Sequence, residues 1–336
     1  MLNIQKKFDH IRKTKGNNTI VLDGGLGTQL ETVHHANIEN DFTKKLGNLW
    51  SGQVLLQFPE LVQRAHLDFV EAGSEIIITN TFVCDLEKFD NDHQEFQKFV
   101  KDAVQVARSA KAKIVAGSIG PYANKFLHGT CYTGIYNDMP NDSDVEKELL
   151  KKWHLPIVKN LIKNEVDILA FETCPKMIEG IAFSEMIQEL QYPGFISFQC
   201  KNEHETAFGE DFGTALEALK LSPYLIGVGV NCVSLKHVSK LLEKLVAFRQ
   251  RCKEKYPHLV PLEIVVYPNS GEVPEFYDGK DMKWVPDPEC PGTFADHCKE
   301  FVSKGATILG GCCRVYASDI KQLSEFLQHR VANAKL

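Results

Sequence analysis

The sequence lacks the features that would direct a protein out of the cytoplasm or onto a nucleic acid. It has no apolar run near the ~18 residues that a membrane span requires. Met1–Gly16 carries basic residues without the apolar core of a signal peptide. Positive charge is in deficit, because 38 Lys and Arg are outnumbered by 44 Asp and Glu, which gives a net charge of −6 over 336 residues. These absences predict a cytoplasmic protein with no nucleic-acid partner and no membrane partner.

Signals for structural disulfides and for dinucleotide binding are missing as well. Without a secretory signal, the ten cysteines are expected to be reduced thiols, which makes metal ligation the chemistry to consider. The early segment Asp23–Thr28 (DGGLGT) lacks the third glycine of the GxGxxG fingerprint. That absence disfavours a doubly wound open sheet, which is the alternative fold.

Eight short, apolar, β-branched runs alternate with longer segments of helical spacing, such as Pro59–Ala72 and Asp92–Ala110. The runs are continuously apolar, as expected for parallel strands covered on both faces. Eight strand–helix pairs without a linker predict an α/β protein, a single (β/α)8 TIM barrel that forms one domain over residues 1–336. The predicted strands are Thr19–Gly24, Glu75–Asn80, Lys113–Ser118, Asp167–Glu172, Gly194–Gln199, Leu225–Asn231, Glu263–Pro268 and Thr307–Gly311.

Three cysteines follow two of the predicted strands. Cys232 comes directly after the sixth strand, and Cys312 and Cys313 come after the eighth. Active sites of such barrels lie at the carboxyl ends of the strands, where these sulfurs would hold a zinc ion with one open corner. Adjacent side chains on a strand point apart, so we expect Gly310 and Gly311 to let the chain turn. The alternative interpretation is that Cys312 and Cys313 are packed small residues, as we interpret the other seven cysteines.

Six short motifs occur along the chain. They are DGGxGT from Asp23, GSIGPY from Gly117, FET from Phe171, GVNC from Gly229, YPNSGE from Tyr267 and GGCCR from Gly310. In this order, and over about Val21 to about Leu327, they resemble the homocysteine S-methyltransferase family. The resemblance implies a zinc-dependent barrel enzyme with Cys232, Cys312 and Cys313 as metal ligands. It also implies methyl transfer from a sulfonium donor, S-methylmethionine before S-adenosylmethionine, to the thiol of homocysteine, which gives methionine.

The resemblance also implies roles for residues near the strand ends. Asp23 and Glu172 are expected to hold the amino group of homocysteine. Gly24 would let backbone N–H groups approach its carboxylate, and Thr79 would add a hydroxyl contact. Arg314 is expected to pair with a neighbouring acid. The residues expected to face the donor are Trp50, Phe82, Tyr122 and Asn269, the aromatic ones through cation–π contact. A turn-forming role for Asp23 and plain packing for the aromatic residues are the alternatives.

Alternatives also remain for the function. Thr81–Cys84 is closer to the betaine-using branch of the family, so betaine is the alternative donor, and a selenol is the alternative acceptor. Glycines after the last strand cradle phosphate in many barrels, which would suit an isomerase or a lyase. A third hypothesis is a barrel that binds zinc or senses thiols without catalysis. The expected partners are homocysteine and its methyl donor, and we expect a monomer.

Overall fold

The structure is a computed structural model in which residues 2–33, 49–126, 130–140, 143–277, 281–290 and 292–333 are described. No helix within these ranges is both long enough and apolar enough to cross a bilayer. The helices are α1 (Leu2–Lys15), α2 (Leu26–Val33), α3 (Gly52–Gln57), α4 (Pro59–Glu71), α5 (His93–Ser109), α6 (Ser143–Lys163), α7 (Met177–Leu190), α8 (Phe212–Glu217), α9 (Leu235–Lys255), α10 (Phe294–Ser303) and α11 (Ala317–Asn333). The strands are β1 (Ile20–Val21), β2 (Ile76–Ile78), β3 (Ile114–Ile119), β4 (Ile168–Cys174), β5 (Gly194–Phe198), β6 (Leu225–Asn231), β7 (Glu263–Tyr267), β8 (Glu272–Tyr277), β9 (Asp281–Pro286) and β10 (Ile308–Leu309).

Eight parallel strands form a closed sheet. They are hydrogen-bonded in the order β1-β10-β7-β6-β5-β4-β3-β2, and a parallel bridge between Leu22 and Ile76 joins β1 to β2. The backbone N–H of Asp23 donates to the carbonyl oxygen of Ile76 at 3.1 Å across the same junction. Each predicted strand overlaps an observed one. Because the two ends of the strand order meet, the prediction of a (β/α)8 barrel is confirmed.

Alternate residues of each strand face two different hydrophobic layers. In β3, Ile114 and Ala116 belong to the layer inside the barrel, whereas Val115 packs in the layer between the sheet and the helices. β4 follows the same rule, with Ile168 inside and Leu169 outside. The strands are buried on both faces, which explains why their sequences are continuously apolar.

Helix α1 covers the end of the barrel at which the strands begin. Ile4, Phe8 and Ile11 are buried and belong to the same hydrophobic cluster as the barrel interior. Their spacing of four and three residues puts them on one face of the helix. An amphipathic helix therefore seals this end, so the interior is a packed core.

Acids at the starts of the strands, the partly buried Asp167 and the buried Glu263, pair with bases. Asp167, just before β4, lies 2.5 Å from Lys7 Nζ and 2.7 Å from Arg108 Nη1. Although burial opposes it, hydrogen bonds from Lys7 and Arg108 hold the pKa of Asp167 below its ordinary value. Glu263, the first residue of β7, lies 2.6 Å from Arg12 Nη2. Because Lys7 and Arg12 belong to α1, these ion pairs also fix α1 on the barrel.

One polar stretch forms regular structure that its sequence does not indicate. The pattern of Asn269–Pro291 predicts a loop, but β8 and β9 within it pair antiparallel, from Glu272 opposite Pro286 to Tyr277 opposite Asp281. Pro274 lies inside β8 and Pro286 ends β9, and proline is depleted from strands because it cannot donate to the ladder. The hairpin leaves the carboxyl end of β7, on the same side of the barrel as the cysteines.

Candidate metal and substrate site

Three cysteine sulfurs meet beyond the carboxyl ends of β6 and β10. The Sγ atom of Cys232 lies 2.7 Å from that of Cys312 and 3.8 Å from that of Cys313. The Sγ atoms of Cys312 and Cys313 are 4.0 Å apart. In the described part of the chain, no other three His, Cys, Asp or Glu side chains bring their ligand atoms within 4.8 Å of one another. The structure thus brings together the cysteines that the sequence puts after two different strands.

These sulfur positions can be compared with those of a tetrahedral zinc site. Zn–S bonds of about 2.3 Å put the sulfurs roughly 3.8 Å apart. The distances from Cys313 to Cys232 and to Cys312, 3.8 and 4.0 Å, match that spacing, whereas the 2.7 Å between Cys232 and Cys312 is shorter. To accept zinc, Cys232 and Cys312 must move apart by about 1 Å. After that adjustment the three thiolates fit zinc and leave one corner open.

Three residues at this site have left-handed backbone conformations, which set the directions of their side chains. Cys232 has φ of +52°, Thr173 of +60° and Arg314 of +63°. Residues other than glycine seldom occupy this left-handed region. At Thr173 the register between β4 and β5 also shifts. Such conformations cost free energy and persist where the surrounding structure fixes them, which is common at functional sites.

The two glycines before the cysteine pair act by close packing. Neither has a positive φ, so the prediction that they turn the chain through a permissive backbone is wrong. A Cβ atom at Gly310 would lie 2.5 Å from the carbonyl oxygen of Asp23, and one at Gly311 would lie 2.2 Å from Val315 Cγ1. Their N–H groups donate to the carbonyl oxygens of Val266 and Asp23. These donors are therefore unavailable to a phosphate, which argues against the isomerase or lyase alternative.

A cavity of about 120 Å³ opens beside the cysteine cluster. We call it the cysteine cavity. Nine of the eleven predicted site residues line it, namely Asp23, Gly24, Trp50, Thr79, Phe82, Glu172, Cys232, Cys312 and Cys313. The residues expected to bind metal and those expected to bind homocysteine therefore share one space.

Tyr122 and Asn269, which the sequence assigns to the donor, do not line the cysteine cavity. Tyr122 lines a separate cavity of about 460 Å³, where its hydroxyl donates to Asp138 Oδ2 at 2.8 Å. Asn269 is buried beside the site, and its backbone N–H donates to the carbonyl oxygen of Val233. Its amide oxygen has no hydrogen-bond partner among the described residues. Contact of these two residues with the donor stays a prediction.

Asp23 and Glu172 are buried acids without a basic partner. Asp23 Oδ2 accepts a hydrogen bond from the N–H of Ile78 at 2.8 Å, and Glu172 accepts one from the hydroxyl of Ser118. Within the described ranges, no Lys, Arg or His forms an ion pair with either acid. Burial raises the pKa of Glu172 to about 8 and the pKa of Asp23 well above its ordinary value. This pair of carboxyls is suited to a ligand that brings a positive charge.

A hydrogen-bonded chain beneath the cavity connects four neighbouring strands. The amide oxygen of Asn231 accepts from the N–H of Thr173 and from the hydroxyl of Ser197, both at 2.8 Å. The hydroxyls of Ser197 and Tyr267 are 2.5 Å apart, and Tyr267 also hydrogen-bonds Glu172. The sequence motifs alone give no role to Asn231, Ser197 or Tyr267. Polar side chains inside otherwise apolar strands were the signal that could have found them.

Arg314 pairs with acids, as the sequence predicted. Its Nε lies 2.9 Å from Glu272 Oε2, and its Nη1 lies 3.0 Å from Glu31 Oε2. The backbone N–H of Arg314 donates to Thr28 Oγ1 at 3.0 Å. These contacts attach the cysteine turn to α2 and to the first residue of β8.

The fold and the site define a parallel (β/α)8 barrel that carries a cysteine cluster and two unpaired acids at the carboxyl ends of its strands. Residues 20–327 match the sequence profile described as homocysteine S-methyltransferase. The chain belongs to the homocysteine S-methyltransferase family, as its six motifs predicted.

Individual relatives are similar over nearly their full length. Homocysteine S-methyltransferase 1 of Brassica oleracea var. italica is 33% identical over 333 residues, which covers 92% of this chain and 94% of that protein. Betaine-homocysteine S-methyltransferase of Drosophila melanogaster is 30% identical over 339 residues, with coverage of 92% and 94%. The metallated form of the homocysteine methyltransferase MmuM from Escherichia coli superposes with a TM-score of 0.73 at 26% identity, and covers 92% of this chain and 96% of that one.

Proposed function

We propose that this chain transfers a methyl group from a sulfonium donor to the thiol of homocysteine, with zinc held by Cys232, Cys312 and Cys313. The observation that carries the proposal is that these three sulfurs and two unpaired buried acids surround one cavity. A metal site with an open corner takes a thiol, and unpaired acids take an ammonium group. Homocysteine carries both groups. Membership of the family supports the choice of acceptor.

The three cysteines would supply three of four metal positions. When bound, zinc would deprotonate the homocysteine thiol, whose ordinary pKa near 8.5 leaves only a few per cent of thiolate at neutral pH. Hydrogen bonds from Cys232 and Cys312 lower the pKa of Cys313 below its ordinary value. Hydrogen bonds with Cys312 and Cys313 raise the pKa of Cys232, and the pKa of Cys312 is raised as well although its hydrogen bond with Cys232 opposes this. Cys313 is therefore the one thiol of the three that favours its anionic form before a cation binds.

Asp23 and Glu172 would receive the ammonium group of homocysteine. Burial disfavours their ionised forms until a cation arrives. A bound ammonium would lower the pKa of both carboxyls, so binding would be accompanied by release of the proton that Glu172 holds below about pH 8. The N–H of Ile78 and the hydroxyl of Ser118 orient the two carboxyls by donating to them. This arrangement selects an amino acid over a simple thiol.

Trp50 and Phe82 would form the wall that faces the donor. Both line the cysteine cavity, and 42% of the Trp50 surface reaches solvent, so its ring borders the open side. The face of an aromatic ring attracts a sulfonium charge. During transfer the donor's carbon–sulfur bond breaks and its electron pair stays on the donor sulfur, while a carbon–sulfur bond forms at the homocysteine thiolate. Positive donor and negative acceptor neutralise each other, which a dry cavity favours.

The proposal extends to the identity of the donor and of the acceptor. We favour S-methylmethionine as donor, with S-adenosylmethionine second. Betaine is the alternative, supported by Thr81–Cys84 and by the similarity to the Drosophila protein. A selenol is the alternative acceptor, since selenium would occupy the same open position of the zinc site.

We further propose that the protein is a cytoplasmic monomer with one domain, in keeping with its acidic net charge and its single barrel sheet.

The test combines metal analysis with product formation. Protein purified in metal-free buffer should contain about one zinc per chain. It should form methionine from homocysteine, faster with S-methylmethionine than with S-adenosylmethionine or betaine. Product formed at full rate after complete removal of zinc would contradict the metal assignment. A faster reaction with betaine would reassign the donor.

A matched pair of variants separates metal binding from folding. Cys313→Ala should lose zinc and activity while its circular dichroism spectrum stays that of the wild type. Cys252→Ala removes a half-buried cysteine of α9 outside the cluster and should keep both. Full activity in Cys313→Ala would contradict its role as a ligand.

A further inference from the structure

A cavity larger than the cysteine cavity lies at the opposite end of the barrel, where the strands begin. Its volume is about 660 Å³, which is within the range of roughly 300–1,000 Å³ seen for small-molecule sites. The chain segments that lead into β1, β7 and β10 line it, together with residues of α1, α9 and α11. We call it the N-terminal cavity. It shares no lining residue with the cysteine cavity.

The charged residues of the N-terminal cavity are mostly arginines. Arg12, Arg249 and Arg330 line it, and Glu263 is the one acid among its lining residues. Glu263 is engaged by Arg12, at 2.6 Å, and Arg12 Nε also donates to the carbonyl oxygen of Asn18 at 3.0 Å. That pair is neutral as a unit. The cavity therefore keeps an excess of two positive charges, in a chain whose net charge is −6.

Arg249 and Arg330 supply that excess. Neither forms an ion pair with any residue in the described part of the chain. Arg249 is partly buried and Arg330 is exposed. The other five arginines in the described ranges all form ion pairs, namely Arg12, Arg64, Arg108, Arg251 and Arg314. Two unpaired guanidinium groups in one cavity are thus a departure from the pattern of the rest of the molecule.

The backbone and the apolar lining shape the cavity around Arg249. Gly305 has φ of +108°, and a Cβ there would lie 3.8 Å from Arg249 Nη2, so the guanidinium passes close over this glycine. A Cβ would make only ordinary van der Waals contact with the guanidinium, but a side chain at this positive φ would strain the backbone. Apolar side chains beside the arginines, including Val260, Leu262 and Leu327, give the cavity a wall that water solvates poorly.

We propose that the N-terminal cavity binds a small organic anion that carries a doubly charged end, a phosphate monoester or a dicarboxylate, on an apolar body. Guanidinium groups present forked N–H donors that match both phosphate and carboxylate oxygens. Two of them would neutralise two negative charges, and the apolar wall would accept the body of the ligand. The proposal does not rest on the methyltransfer function, because the site and its charges are separate from those of the cysteine cavity.

Calorimetric titration with defined probes tests the site. Phenyl phosphate and phthalate each carry two negative charges next to one ring, and benzamide is the neutral ring control. We expect saturable binding of at least one of the two anions to the full chain at an ionic strength of about 0.15 M, and none of benzamide. Tighter binding of phenyl phosphate would assign a phosphate ligand, and tighter binding of phthalate a dicarboxylate. Absence of binding by both anions would overturn the proposal.

Variants show whether the bound anion is in this cavity. Arg249→Gln and Arg330→Gln should each weaken binding about tenfold, because each removes a charge-assisted hydrogen bond. Arg251→Gln is the matched control, since Arg251 is also on α9 but pairs with Glu217 outside the cavity. All three variants should transfer methyl groups at the wild-type rate. Loss of anion binding and loss of methyl transfer are therefore measured independently, so either proposal can fail without the other. Equal affinity of Arg249→Gln, Arg330→Gln and the wild type would also overturn the proposal.

Discussion

Buried or partly buried acids occur at both ends of the barrel, and they have basic partners at one end but not at the other. Where the strands begin, Asp167 and Glu263 are held by bases, and the pKa of Asp167 lies below its ordinary value. Where the strands end, Asp23 and Glu172 have hydrogen-bond donors but no base among the described residues, and burial raises the pKa of both. Partly buried Asp167 and the buried acids Asp23 and Glu172 therefore have pKa shifts of opposite sign.

The difference separates stability from function within one fold. A paired buried acid stabilises the folded state in its ionised form, whereas an unpaired one opposes its own ionisation. A fold that retains unpaired acids at one end carries a penalty that a bound cation would relieve. By this criterion the carboxyl ends of the strands form the site of chemistry and the ion pairs at the other end are structural.

Removing an unpaired acid should produce the largest effect, and it should be on catalysis. Glu172→Gln deletes one of the two charges that would hold the homocysteine ammonium. We expect kcat/KM for homocysteine to fall about 100-fold, as for loss of a charged hydrogen bond. Initial rates at varied homocysteine concentration measure this, and zinc content should stay at the wild-type level. Unchanged kcat/KM would remove Glu172 from the substrate site.

Removing a paired acid should instead lower stability. Asp167→Asn leaves Lys7 and Arg108 without their carboxylate, and we expect the free energy of unfolding to fall by about 2 kcal/mol. Urea denaturation measures the loss, and the KM for homocysteine should not change. A shift in KM with no loss of stability would contradict the assignment of Asp167 to stability and not to substrate binding.

The pH dependence of stability should differ in sign between the two acids. The raised pKa of Glu172 keeps it protonated in the folded protein, so its contribution to stability falls as pH rises from its ordinary 4.5 to about 8. Asp167 stabilises above its ordinary pKa, and that contribution is lost as pH falls through its lowered folded-state pKa. Against the wild type, Glu172→Gln should gain stability by at most about 1.4 kcal/mol per pH unit between these limits. A difference that does not vary with pH would show that Glu172 ionises normally.

The smallest loss of stability should come from removing a base whose acidic partner is also held by a second base. Lys7→Gln removes one contact of Asp167 but leaves Arg108 in place, and Lys7 itself is partly exposed. We expect a loss of about 0.5 kcal/mol in the free energy of unfolding. A loss as large as that of Asp167→Asn would mean that Lys7 alone holds the carboxylate.

Much of the architecture could be predicted because it follows from local patterns. The continuous apolar runs identify the eight strands, and the rule that loops after strands share one face puts Cys232 with Cys312 and Cys313. The positions of Tyr122 and Asn269 could not be predicted, because they depend on which neighbour each side chain meets in its loop. The opposite pKa shifts of Asp167 and Glu172 could not be predicted either, since the first depends on Lys7, 160 residues away, and the second on burial in the folded barrel.

The closure between β1 and its two neighbours has a consequence for when the site comes into existence. Asp23 follows the first strand and the Cys312–Cys313 pair follows the last, while Cys232 lies 80 residues before Cys312. No local segment of the chain contains a working part of this site, and loop-closure entropy must be overcome before these residues meet. A chain still emerging from the ribosome has the first acid but no cysteine cluster. Assembly of the cluster thus requires β6, β7 and β10 to pair, and Asp23 joins it only when β1 pairs with β10 and with β2 and closes the barrel.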